Sequence, residues 1–135
     1  MTEFALHPQI AADTLPVAEL PLSSARLMRD ANYPWLLLVP RITYAIDVVD
    51  LRAEDRAVLM DEVVRASAAL RQTVPCDKLN VATLGNVVAQ MHVHVIARRR
   101  DDVSWPKPVW GAVPAKAYAE GEGEALAAQL ATWLK

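Results

Sequence analysis

Between Pro34 and Pro40 the chain holds an unbroken apolar run, Trp35-Leu36-Leu37-Leu38-Val39. Proline fixes φ and offers no N–H to a ladder, so the run is bracketed at both ends. It has the length of a strand rather than a helix, and its apolar residues do not alternate with polar ones. It therefore predicts a central strand buried on both faces. The 135 residues fit one domain, 1–135, long enough to bury a proper core.

The other elements follow from punctuation and period. Residues 4–30 read as short strands broken at Pro8, Pro16 and Pro21, with Val17 to Leu20 and Ala25 to Met28 as the strand pieces. A helix is expected over about 51–73, capped by Asp50, with Glu54 and Asp55 in its first turns. Leu51, Leu59, Val63, Ala66 and Leu70 share its apolar face, Arg52, Arg56, Glu62 and Arg65 its other face, and Pro75 ends it. Lys78 to Thr83 reads as a strand, Gly85-Asn86 as a turn, and Met91 to Arg98 as a second, alternating strand. Asp101 to Pro114 reads as an ordered loop rich in proline and tryptophan, and Glu122 to Leu134 as a last helix. Together these predict an α+β domain with a mainly antiparallel sheet of about five strands, one long helix and a C-terminal helix.

Composition narrows the function classes. Fourteen basic against sixteen acidic residues leave a net charge of -2, which gives no electrostatic reason for bulk nucleic-acid or membrane binding. A small anionic ligand needs only a local site. The single cysteine, Cys76, cannot form an internal disulfide or a multi-thiolate zinc site. No signal peptide is read in Met1 to Asp13 and no apolar run is long enough to span a bilayer, so the expected location is cytoplasmic.

The chemistry concentrates in Gly85-Asn86-Val87-Val88-Ala89-Gln90-Met91-His92-Val93-His94-Val95-Ile96. On a strand Gln90, His92 and His94 would share one face, while Met91, Val93 and Val95 pack on the helix. A neutral imidazole is a nucleophile towards phosphorus, and a neighbouring imidazole can stabilise phosphate oxygens. Gly85 permits a turn that aims backbone N–H groups at an anion, and Asn86 adds an amide donor. The same pair of histidines is also two-thirds of a metal site, with His7 and Cys76 as the remaining candidates, neither at motif spacing.

The segment Gln90-Met91-His92-Val93-His94-Val95-Ile96 resembles the signature of the histidine triad family, His-φ-His-φ-His-φ-φ after a glycine turn. The order of elements agrees over most of residues 15–100, and Asp101 to Gly111, with Trp105 and Trp110, resembles a bacterial branch. The resemblance implies a homodimer that joins its sheets into one, binds purine nucleotides and cleaves at the α-phosphate through a covalent nucleotidyl-histidine. Its substrates would be dinucleoside polyphosphates, such as diadenosine tetraphosphate, or nucleoside phosphoramidates. By position His92 is the nucleophile and His94 a phosphate contact. Asn80 falls near an amide that holds ribose or phosphate, and Asp30 or Asn32 near a ribose contact. No metal or other cofactor belongs to the protein, although a substrate polyphosphate brings magnesium.

Two positions depart from the pattern. Gln90 replaces the first histidine: it can hold a phosphate or order its neighbour but cannot shuttle a proton near neutral pH. Val87 stands where many members carry a hydroxyl. Arg98, Arg99 and Arg100 are candidates to draw in a polyphosphate, with a solvated role expected for at least two. Trp105 and Trp110 either close over a base, sit in the dimer contact or pack the proline-rich loop onto the core. The alternatives to hydrolysis are a nucleotide-binding module with little turnover and a small metalloprotein built on His92 and His94.

Overall fold

In the computed structural model, which describes residues 3–134, the apolar run is the third strand, β3 (Trp35–Pro40), and every residue of it is buried. Before it come a short helix α1 (Pro8–Asp13), β1 (Thr14–Glu19) and β2 (Ser23–Met28). After it come a 3-10 turn (Val48–Asp50), the long helix α2 (Ala53–Thr73), β4 (Lys78–Ala82), β5 (Val93–Arg98) and α3 (Glu122–Leu134). The five strands form one antiparallel sheet in the order β1-β2-β3-β5-β4. The expected α+β architecture is therefore the observed one.

Alternation along β3 divides the interior in two. Leu36 and Leu38 join Val93, Val95 and Ala97 of β5 beneath α2, where Leu59, Val63, Ala66 and Leu70 supply the helix side. Trp35, Leu37 and Val39 point the other way and pack with Ile10 of α1, Tyr33, Ile96 and Val109. Leu37 pairs with His94 across the β3–β5 ladder, so the histidine lies on the face away from α2.

Several local expectations need correction. Residues 8–13 form a helix rather than strand pieces: Pro8 occupies the first turn, where its missing N–H costs nothing, and His7 Nδ1 caps it by accepting from Gln9 N at 3.0 Å. β1 therefore starts at Thr14, and Pro16 is tolerated because β1 is an edge strand with an irregular register beside it. Asp50 does not cap α2. Its carboxylate accepts from the N–H groups of Ile46 and Asp47 and closes the 3-10 turn. Glu62 is buried rather than solvated, because it stands three residues after Leu59, inside the apolar stripe. Its Oε2 accepts from Leu22 N at 2.7 Å. β5 begins at Val93, two residues later than expected.

The segment after β5 is held by a buried cation. Arg98, 1% exposed, donates through Nε and Nη2 to both carboxylate oxygens of Asp102 at 2.8 and 3.1 Å, and through Nη1 to Asn80 Oδ1 at 3.0 Å. Its guanidinium also lies 5.3 Å from the ring centre of Tyr33 and 5.6 Å from that of Trp105. Burial alone would raise the Asp102 pKa, but Arg98 and the backbone N–H groups of Arg99 and Ser104 bring it down to about 2. Arg99 and Arg100 are exposed, as expected for two of the three arginines. Among the described residues no helix is long and apolar enough to cross a membrane.

Removing Arg98 would leave the Asp102 charge without its partner in a poorly hydrated place. Arg98→Met is expected to lower unfolding free energy by about 3 kcal/mol, measured by urea denaturation. A loss within experimental error would show that the pair does not hold the loop.

Candidate active site

The site is built where β5 begins. His94 is on the strand and His92 immediately precedes it; they are 4% and 8% exposed. Their rings meet edge to face with centres 5.0 Å apart. His92 Nδ1 lies 2.7 Å from the backbone oxygen of Gln90. A carbonyl oxygen only accepts, so Nδ1 carries a hydrogen, and in the neutral ring the lone pair is on Nε2. His94 Nδ1 accepts from the indole Nε1–H of Trp35 at 3.0 Å. Burial, and then the neighbouring His92, push the His94 pKa down to about 4. Trp110, from the loop after β5, stands edge-on to His94 at 5.0 Å and to Trp35 at 6.0 Å.

These rings line a pocket of about 400 Å³. One wall is Gln9 and Asp13 of α1, with Met28 of β2; another is the turn from Leu84 to Val88. Gly85 takes φ +81° there, a left-handed conformation that favours glycine. Val87, 95% exposed, sits at the rim where a hydroxyl was noted as missing. No lysine or arginine is among the described residues that line the pocket.

The sequence-derived candidates separate. His92, His94, Gly85 and Asn86 come together in the pocket. Gln90 does not line it. Its Oε1 accepts from His7 N and its Nε2 donates to Ala5 O, both at 2.8 Å, so the amide ties down the segment leading into α1. Strand alternation fails here because β5 starts only at Val93. Asn80 is also elsewhere, its oxygen engaged by Arg98. Asp30 is buried and accepts from the N–H groups of Asn32 and Lys116 at 3.0 and 3.2 Å. It lines an adjoining cleft that shares Asp13, Met28 and Trp35 with the histidine pocket. The Asn32 amide donates to Pro114 O.

Sequence reasoning missed Gln9, Asp13, Met28 and Trp35 as pocket walls. Only Trp35 carried a readable signal: an indole N–H in a strand buried on both faces requires a buried acceptor. Among the described residues no three His, Cys, Asp or Glu side chains are placed to hold a metal ion together.

A model of the HIT domain matches residues 10–101. Nearly the whole chain superposes on each of three solved bacterial structures. A histidine triad protein of Bradyrhizobium japonicum is 44% identical, with 99% of this chain covering 100% of that one at TM-score 0.95. A histidine triad protein of Sinorhizobium meliloti is 40% identical, with 97% of each chain covered at TM-score 0.93. One from Marinobacter aquaeolei is 38% identical, with 98% of this chain and 97% of that one covered at TM-score 0.94. No curated protein matches significantly.

The low pKa of His94 has a stability consequence with a definite sign. Folding holds it near 4, below its ordinary 6.5, so its neutral form is favoured in the folded state. The stability it contributes is complete above pH 6.5 and is lost as pH falls through 4, by at most about 3 kcal/mol. Urea denaturation of wild type and His94→Leu between pH 7 and 4 should show a steeper loss in the wild type. Parallel curves would remove the burial argument.

Proposed function

The chain belongs to the HIT domain family, and on that premise we propose that it is a nucleotide hydrolase or transferase acting at an α-phosphate. The observation that carries the proposal is the pairing of His92 Nδ1 with the Gln90 carbonyl, which leaves Nε2 as the nucleophilic nitrogen in a pocket. His92 Nε2 attacks the α-phosphorus of a purine nucleotide conjugate, the leaving group departs, and water hydrolyses the nucleotidyl-histidine. His94 and the backbone N–H groups around Gly85 and Asn86 stabilise the developing charge. The adjoining cleft at Asp30 offers room for the ribose. The histidine pocket itself has no lysine or arginine on its described lining, although Arg29 lines the adjoining cleft, so a polyphosphate substrate would arrive with its own magnesium.

A nucleotide-binding module with little turnover is the second reading. It is favoured by the commitment of the Gln90 side chain to residues 5–7, which leaves two imidazoles rather than three groups for chemistry. The homodimer belongs to the same proposal. β4 is a sheet edge with Val81 exposed, and Met60 and Val64 of α2 are exposed large apolar side chains. A partner that pairs along β4 and covers α2 would bury them.

Two outcomes are expected. AMP release from diadenosine tetraphosphate with magnesium should fall by at least about 10³-fold in His92→Ala. The same assay with adenosine phosphoramidate and with chelator identifies the leaving group. No release from either substrate, alongside saturable AMP binding, would move the assignment to the binding module. Met60→Glu combined with Val81→Lys should convert a dimer to a monomer in sedimentation, and an unchanged mass would refute this interface.

A further inference from the structure

The hydrogen bond from Trp35 to His94 decides what His94 can do. An indole nitrogen donates and cannot accept. Its N–H faces His94 Nδ1 at 3.0 Å, so Nδ1 must present a lone pair and the ring proton must sit on Nε2. Protonating His94 would set two N–H groups against each other in a site that is 4% exposed. The low His94 pKa agrees with this geometry.

We propose that Trp35 is a positioning residue that fixes His94 as a neutral Nε2–H donor, so that His94 steadies phosphate oxygens and does not protonate a leaving group. The inference rests on the hydrolase reading only for its consequence in turnover. Among the described residues that line the pocket, no histidine, lysine, cysteine or tyrosine other than His92 and His94 is present to serve as the acid. His92 is the nucleophile; Gln9 and Asn86 are amides; Asp13 Oδ1 accepts from Gln9 Nε2. Gln90, at the first triad position, is occupied by Ala5 and His7.

The first step then balances without a protein acid. His92 Nε2 forms a bond to the α-phosphorus, the bond from phosphorus to the leaving group breaks, and the leaving group takes the electron pair out as an anion. Solvent supplies any proton it later acquires. In the second step a water oxygen bonds to phosphorus, the P–N bond breaks with its pair returning to His92, and the water proton goes to solvent. The favoured substrates are conjugates whose leaving group is a stable anion, such as a phosphoanhydride. Conjugates of basic alkyl amines are disfavoured.

The test pairs a structural readout with a kinetic one. In wild type labelled with nitrogen-15 on histidine, the ring spectrum should show His94 as the Nε2–H tautomer with a hydrogen-bonded Nδ1. Trp35→Phe, which keeps an aromatic ring and removes the donor, should lose that signature. First-turnover phenol release from the 4-nitrophenyl and phenyl esters of AMP should differ by roughly 100-fold, because rate then follows leaving-group basicity. A difference below about tenfold would reveal a general acid and overturn the proposal. So would an Nδ1–H or doubly protonated His94 in the wild type. If neither these esters nor diadenosine tetraphosphate reacts, the hydrolase reading fails, and the nitrogen spectra of wild type and Trp35→Phe still decide the role of Trp35.

Discussion

The burial of β3 on both faces is the constraint on which the rest of the molecule depends. A strand covered above and below must place every polar group it carries inside the protein, where an unpaired donor costs about 1–3 kcal/mol. Leu36 and Leu38 bring no polar atoms and simply fill the space under α2. Trp35, on the opposite face, brings one N–H, and His94 on the adjacent strand accepts it. The core beneath α2 and the site are thus on opposite sides of one strand. The same alternation that packs α2 onto the sheet orients the ring of His94.

The second face is closed by parts distant in sequence, and each closure consumes a polar side chain. Arg98 and Asp102 fasten the loop that delivers Trp110. Gln90 fastens the segment that leads into α1 and so positions Gln9 and Asp13. Asp30 fastens Lys116 and Asn32. Polar residues that look available for a ligand in the sequence are in several cases holding the walls of the pocket instead.

That division explains how much could be read in advance. Strongly periodic or uniformly apolar segments were legible: β3, the buried stripe Leu59-Val63-Ala66-Leu70 and α3 lie where their patterns place them. His92, His94, Gly85 and Asn86 were legible as a group because they are close together along the chain. Glu62 was misread since charge suggests solvent, whereas its position in the stripe decides its burial. Gln90 and Asn80 were misplaced because their partners, His7 and Arg98, are set by tertiary contacts that leave no local pattern. Helix α1 was hidden by its proline, which starts this helix rather than breaking a strand.

The bond between His7 and Gln90 spans 83 positions of the chain. A contact of that separation cannot form until the β3–β5 ladder has brought the two regions together, since the loop it closes is entropically costly until other contacts share that cost. That separation predicts that the α1 wall closes late in folding and that the pocket is completed only with it. Ligand affinity reports on completion of the whole molecule, and a bound ligand raises the free energy of global unfolding rather than steadying one corner.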